Sequence, residues 1–297
     1  MPYLTHFTFP DRDREFDYML KNVKRQCYTD FYPFQVLSSI DMTELSFGPV
    51  TILHGGNGSG KTTALNVIAE GIGADRDSAF NRSAFFPDYV KLCGQGWGED
   101  RPRDCRIITS DDVFDYMLNL RCLNEGIDRK REEIFEEYLN RKHSRFRLNS
   151  LEDYEELALS NRAKSRTQSR YVRESLMANA VERSNGESAY LYFVNKIRED
   201  GLYLLDEPEN SLAPARQREL VKFIEESVRF FRCQFIIATH SPFLLALREA
   251  RIYDLSETPV TEKSWTQLEN VRQYRSFFME HEAEFTGEAG SGGGIYG

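Results

Sequence analysis

The chain has 297 residues, enough for one large α/β domain or two small ones, and its 40% hydrophobic and 13% aromatic content can fill a sizeable core. A mean hydropathy of −0.54 and the lack of any long apolar run exclude a transmembrane helix. A net charge of −9 excludes a surface that attracts nucleic acid as a whole, so any such binding has to be local. The five cysteines (Cys27, Cys93, Cys105, Cys122 and Cys233) form no C-x-x-C pair, and the first residues lack a basic stretch followed by an apolar one. Both features predict reduced thiols in a cytoplasmic protein, with no zinc site, disulfide framework or secretory signal.

In chain order, "YLTHFTF" alternates as a strand, "PFQVLSSI" is predicted to pair with it, and "GPVTILHG" is a short apolar strand after the Gly48-Pro49 turn. "KTTALNVIAEGIG" follows as a helix ending in glycines. Residues 80–105, rich in Gly, Pro, Asp and aromatics, are predicted as loop, and "CRIITSDDVFDYMLNL" as a strand and then a helix. From Arg121 to Arg183 the composition shifts to 14 basic and 12 acidic residues with few aromatics, which predicts a charged helical insertion. The order then tightens into helix 188–199, strand 202–206, helix 214–230, strand 234–239 and helix 242–249. That alternation marks a parallel sheet. The division expected is an N-terminal core part at 1–120, the insertion at 121–183, a C-terminal core part at 184–285 and a flexible Gly-rich tail at 286–297.

Three stretches carry chemistry. "GGNGSGKT" fits G-x-x-x-x-G-K-[ST], with an apolar strand before it and a helix after it. Glycines let the backbone wrap a phosphate while N–H groups and the helix N-terminus face the anion. Gly55, Gly56, Asn57, Gly58, Ser59, Gly60, Lys61, Thr62 and Thr63 are therefore read as the ATP-binding loop, with Lys61 reaching the β/γ-phosphates and Thr62 offering its hydroxyl to Mg²⁺. In "LYLLDEPENSL" a buried strand delivers two carboxylates to its C-terminal edge, where ligands of open α/β sheets bind. Asp206 is read as the metal residue and Glu207 as the base that orients and deprotonates water. "QFIIATHSP" repeats the design and delivers His240 to the same edge, as a γ-phosphate sensor. Taken alone, an acidic turn after a core strand or a single histidine is ordinary; the set is what points to nucleotide chemistry.

A second glycine turn, "SNGES" at 184–188, opens the helix before this carboxylate strand. Together these motifs resemble the ABC-class ATPases, closest to soluble bacterial proteins with compact SMC/RecF-like heads, over residues 1–120 and 184–255. The resemblance implies a P-loop NTPase fold of ABC/SMC-head type: a mixed central sheet flanked by helices, with an inserted helical subdomain. It implies ATP and Mg²⁺ as cofactors, and a head-to-tail homodimer in which Ser184, Asn185, Gly186 and Glu187 of one copy cap the γ-phosphate held by the other. Asn210-Ser211-Leu212 stand as the loop that couples the two sites, with Ala213-Pro214 departing from the transporter pattern. After "RIIT" the place of the transporter glutamine falls to Asp111 and Asp112. Asp111 is favoured as the metal or water contact, with Gln95 the competing residue. For the adenine platform Tyr32 and Phe34 both stand.

The function expected is an ATP-hydrolysing switch that acts, without membrane insertion, on a nucleic acid or a partner protein through residues 121–183, as in DNA repair or antiviral defence. The alternatives are a transporter's nucleotide-binding subunit and an ATP sensor that restrains a toxin. Outside these motifs no second carboxylate cluster has metal-ligand spacing, so nuclease chemistry is not expected.

Overall fold

The computed structural model describes residues 2–22, 30–143 and 185–286. The chain divides into two units, Met1–Val113 with Ala189–Gly297, and Phe114–Ser188.

The first unit holds two sheets. A small antiparallel sheet has the order β2-β1-β4, from β1 (Leu4–Thr8), β2 (Glu44–Ser46) and β4 (Gly94–Trp97). The main sheet has six strands in the order β5-β6-β7-β3-β8-β9. These are β3 (Val50–His54), β5 (Asp104–Thr109), β6 (Gly201–Asp206), β7 (Gln234–Ala238), β8 (Arg251–Asp254) and β9 (Thr261–Glu262). From β5 to β8 every pairing is parallel, and β9 adds antiparallel to β8, so the sheet is mixed.

Every residue of β3, β6 and β7 is buried, which matches their near-continuous apolar runs: a parallel strand covered on both faces has no wet side to alternate with. The cover comes from α2 (Lys61–Ile72), whose Ala64, Leu65, Val67, Ile68 and Ala69 are buried, and α6 (Pro214–Phe231), which buries Leu220 and Ile224. In the chain α1 (Arg12–Asn22) precedes these two, α3 (Phe86–Leu92), α4 (Ser110–His143) and α5 (Asn185–Lys196) fall between them, and α7 (Pro242–Leu245), α8 (Glu269–Glu280) and α9 (Glu282–Thr286) follow. In register, Leu53 of β3 lies beside Ala238 of β7, Ala238 beside Asp206 of β6, and Asp206 beside Thr109 of β5. The strand leading to His240 thus sits between the strands leading to the glycine loop and to the carboxylates.

The structure departs from the expected elements in four places. "PFQVLSSI" is not a strand. It turns and ends in a 3-10 helix at Ser38–Ile40, because Phe34 and Leu37 reach the core three residues apart and Gln35 has a positive φ of 66°; β2 takes the place beside β1. Within 80–105 the chain forms α3 and β4. Pro87 suits the first helical turn, where its missing N–H costs no bond, and Phe86 and Tyr89 bury on one side. The helix expected over 242–249 stops at Leu245, and Glu249 takes a positive φ of 56° before β8. α5 begins at Asn185, so the "SNGES" turn is mostly the helix's own first turn.

The described part of the second unit is the continuation of α4 past Val113 and the start of α5. Along α4, Ile134 and Tyr138 are buried four residues apart, while Glu132, Glu133, Glu136 and Glu137 are exposed. Residues 144–183 of the expected insertion, with the five cations of "NRAKSRTQSRYVR" at 161–173, and tail residues 287–297 lie outside the described residues.

Candidate active site

The loop after β3 runs from Gly55 to Gly60 and is most exposed at Gly56, Asn57 and Gly58. Gly60 has a positive φ of 94°, and a Cβ there would stand 3.2 Å from Leu37 Cδ2 and 3.4 Å from Val36 Cγ1. Only glycine combines that backbone with that close wall. Ser59 Oγ is buried in the loop with no hydrogen-bond partner among the described residues. Lys61, 4% exposed, donates from Nζ to Gly55 O at 2.9 Å and Gly56 O at 3.1 Å, and stands 3.8 Å from Glu207 Oε1. Burial pushes its pKa down, against the pull of Glu207 and Asp206. The ammonium therefore points into the cradle it closes. Next to it Thr63 is buried and takes a 3.1 Å hydrogen bond from Tyr32 Oη, while Phe34 is packed between the rings of Tyr18 and Tyr89.

Thr62 Oγ1 donates to Asp206 Oδ1 at 3.1 Å. Burial raises the Asp206 pKa to about 6, opposed by the Thr62 hydrogen bond and reinforced by Glu207. Hydroxyl and carboxylate oxygens are the donors a magnesium ion takes, and a charge that burial makes costly is one a cation relieves, so the pair fits that ion. Among the described residues no three or more His, Cys, Asp or Glu cluster to hold a metal by themselves.

Glu207 takes a left-handed backbone (φ 46°, ψ 53°) as the strand gives way to a 3-10 turn at Pro208–Ser211. A non-glycine residue in that region stores strain of about 1 kcal/mol or more and is concentrated at functional sites. Both carboxylate oxygens are engaged: Oε1 lies 3.2 Å from His240 Nε2, and Oε2 accepts from Asn210 Nδ2 at 2.9 Å. Behind His240 lies His54, buried at the end of β3. Its ring meets that of His240 edge-on at 6.2 Å, its Nδ1 stands 3.4 Å from Thr239 O, and burial lowers its pKa.

A protein-family model described as "AAA domain, putative AbiEii toxin, Type IV TA system" matches residues 81–246, more than half of the chain. The chain belongs to this AAA-domain family. The comparison with curated proteins finds no match. Among solved structures the AAA domain is similar to the Smc head domain of Pyrococcus furiosus bound to the C-terminal domain of ScpA, at 14% identity and a TM-score of 0.42, covering 95% of this chain and 100% of the other. It is similar to the SMC head domain of Thermotoga maritima at 13% identity and a TM-score of 0.37, covering 88% and 99%. A dimeric bacterial ABC transporter cassette matches at 14% identity and a TM-score of 0.37, covering 76% and 90%. At such scores the P-loop ATPase fold of the AAA domain stands on its own strand order, glycine loop and carboxylate-tipped strand.

The fold of the AAA domain thus brings Lys61, Thr62, Asp206, Glu207 and His240 to one sheet edge. Asp111 is exposed on the first turn of α4, two residues past Thr109, the register partner of Asp206. Its neighbour Asp112 is the buried one, accepting from Thr109 N at 2.6 Å and Thr109 Oγ1 at 2.9 Å. Gln95 lies elsewhere, on β4 opposite Phe7, with its Oε1 3.9 Å from a Cβ placed at Gly71 near the far end of α2. Asn185, Gly186 and Glu187 occupy the N-terminal turn of α5, and Ser184 lies outside the described residues. Three residues beside the site have no counterpart in the sequence reading: His54, Glu209, whose Oε1 accepts from His240 N at 2.6 Å, and Gln217, whose Oε1 accepts from Ser241 Oγ at 2.6 Å. The signal for Glu209 was in "DEPE", a third carboxylate three residues past Asp206. Gln217, on an otherwise ordinary helix turn, gave none.

Proposed function

We propose that this AAA domain binds ATP with Mg²⁺ and hydrolyses it to ADP and phosphate. The observation that carries the reading is the meeting of Thr62 with Asp206 and of His240 and Lys61 with Glu207, from three separate strand ends. In this reading the N–H groups of residues 56–61 hold the phosphates, and Lys61 exchanges its two carbonyl contacts for phosphate oxygens. Thr62 and Asp206 hold the magnesium ion, which supplies charge neutralisation at the phosphates. Glu207 Oε1 takes the proton of the attacking water, and Asn210 holds the opposite oxygen so that the carboxylate keeps its aim. His240 Nε2 reaches the same point and contacts the terminal phosphate.

The finer reading is a switch. The glycine turn at 184–187 caps ATP held by a second copy, and the charged segment 121–183 carries the outcome to a nucleic acid or a partner protein. Its support is the sequence motif and the change of composition. Among the described residues no helix is long and apolar enough to cross a membrane. A second reading, an ATP sensor that restrains a toxin, takes its support from the toxin–antitoxin wording of the family's description.

The test is ATP turnover with Mg²⁺. Glu207→Gln should keep ATP binding and lose at least about 100-fold in kcat, whereas Lys61→Ala should weaken ATP binding itself. Wild-type turnover by Glu207→Gln overturns the base assignment, and an inactive wild type that binds ATP favours the sensor.

A further inference from the structure

We propose that Glu209 is a positioning residue for His240: its carboxylate holds the backbone of residues 239–241 so that the imidazole meets Glu207. The proposal rests on the hydrolytic reading above and adds a residue to it.

Glu209 Oε1 accepts three hydrogen bonds, from Thr239 Oγ1 at 2.7 Å, His240 N at 2.6 Å and Ser241 N at 3.1 Å. All three donors lie in the turn just past β7, and the acceptor lies in the 3-10 turn just past β6. A carboxylate oxygen taking two successive backbone N–H groups and a hydroxyl makes a stronger clamp than a neutral acceptor would, since each bond is charge-assisted. Gln217 on α6 makes a second tie between the same two turns. Its Nε2 donates to Leu212 O at 2.8 Å and its Oε1 accepts from Ser241 Oγ at 2.6 Å. Ser241 Oγ in turn accepts from Phe243 N at 3.2 Å, so the start of α7 is fixed by the same chain of bonds.

The geometry explains why His240 needs an anchor. Its side chain is about one-third exposed, and its ring nitrogen is 3.2 Å from a carboxylate that sits on a strained backbone. The turn carrying it is short, between Ala238 and Pro242, and apart from Glu209 and Gln217 its ties are long ones, Thr239 N to Leu53 O at 3.3 Å and Asn270 Nδ2 to His240 O at 3.5 Å. A displacement of about 1 Å between reacting groups can cost about 100-fold in rate. The 3-10 turn at Pro208–Ser211 therefore does two things at once: Asn210 holds Glu207, and Glu209 holds the backbone of the histidine that faces it. The other oxygen, Oε2, is buried with no hydrogen-bond partner among the described residues, so the clamp works through Oε1.

That asymmetry makes the proposal testable. Glu209→Gln keeps an acceptor oxygen at the same reach, Glu209→Asp keeps the charge but falls one methylene short, and Glu209→Ala loses both. In the full-length chain, kcat and KM for ATP are measured for these three variants, for His240→Ala, and for Glu209→Ala with His240→Ala. Expected are a kcat about tenfold lower in Glu209→Ala and Glu209→Asp with KM within about twofold, a loss of about two- to threefold in Glu209→Gln, which keeps the acceptor without its charge, and no further loss from Glu209→Ala once His240 is gone. A loss that repeats in full in the His240→Ala background, or a Glu209→Gln as slow as Glu209→Ala, overturns the proposal.

The imidazole resonances of His240, recorded without nucleotide, separate this result from the hydrolytic reading. They should move clearly in Glu209→Ala and much less in Glu209→Gln, with His6 and His281 as controls. Unmoved resonances in Glu209→Ala overturn the positioning role even if the wild type proves to be no ATPase, and moved resonances uphold it in that case.

Discussion

Thr62 Oγ1 donates to Asp206 Oδ1 at 3.1 Å, joining the first turn of α2 to the tip of β6 across 144 residues of sequence. The carboxylate at this joint is buried and its pKa is raised to about 6, so its ionised form costs the free protein stability. Under the proposed function a bound cation would relieve that cost.

Asp206→Asn should therefore stabilise the protein in EDTA while removing turnover. An acid whose folded pKa is raised above its unfolded value destabilises the fold most where it is ionised, above about pH 6. That penalty disappears as pH falls below the unfolded value near 3.8. The variant keeps Thr62's acceptor, so thermal unfolding at about pH 8 should show a gain of about 1–3 kcal/mol, on the order of 2–6 °C in Tm, shrinking towards pH 4. A lower Tm for Asp206→Asn at pH 8 would show that burial of the carboxylate is not the governing cost.

Two glycines separate packing from binding. At Gly60 the positive φ of 94° and the wall formed by Leu37 and Val36 oppose any Cβ, so Gly60→Ala should cost about 1–2 kcal/mol and also weaken ATP binding. At Gly71 a Cβ would stand 2.8 Å from Cε2 and Cζ of Phe7, a fully buried ring. Gly71→Ala should lose about 1 kcal/mol net of its helix-propensity gain while leaving the KM for ATP unchanged. Equal effects of the two substitutions on nucleotide affinity would refute the placement of Gly60 at the phosphate.

The shared-site arrangement predicts complementation. Lys61→Ala and Ser184→Arg should each be inactive alone. Mixed, they form a dimer in which one site has an intact glycine loop and an intact cap, and part of the ATPase activity should return. Mixed dimers demonstrated by cross-linking but without recovered activity would rule out capping by the second copy.

The strip "NRAKSRTQSRYVR" at 161–173 carries Arg162, Lys164, Arg166, Arg170 and Arg173 with no acidic residue, in a chain of net charge −9. Phosphates neutralised by these cations would release counterions and steepen the salt dependence of binding. Replacing all five by Ser should leave basal ATPase activity nearly intact and flatten the salt dependence of DNA or RNA binding. The measurement is affinity against salt, with and without ATP. Identical weak binding by both proteins would exclude the strip as a nucleic-acid contact and direct the search to a protein partner.

The strands β3, β6 and β7, the glycine loop and α2 were all legible in the amino-acid sequence. Each is written in a local code: a near-continuous apolar run for a strand covered on both faces, and fixed spacing from Gly55 to Lys61 for a backbone that must wrap an anion. Local code also misled, since the apolar "PFQVL" passes for a strand until Phe34 and Leu37 are seen to reach the core at a spacing of three. What only the tertiary structure decided is the order of strands. Placing β7 between β6 and β3 brings His240 to Glu207, seats His54 behind it, and lets Glu209 grip a turn some 30 residues away. The same assembly separated the exposed Asp111 from the buried Asp112 and sent Gln95 to a different sheet. Periodicity reports which face of an element is apolar, but not which element packs beside it. Hydrogen bonds between the tips of neighbouring strands exist only once that packing has been chosen.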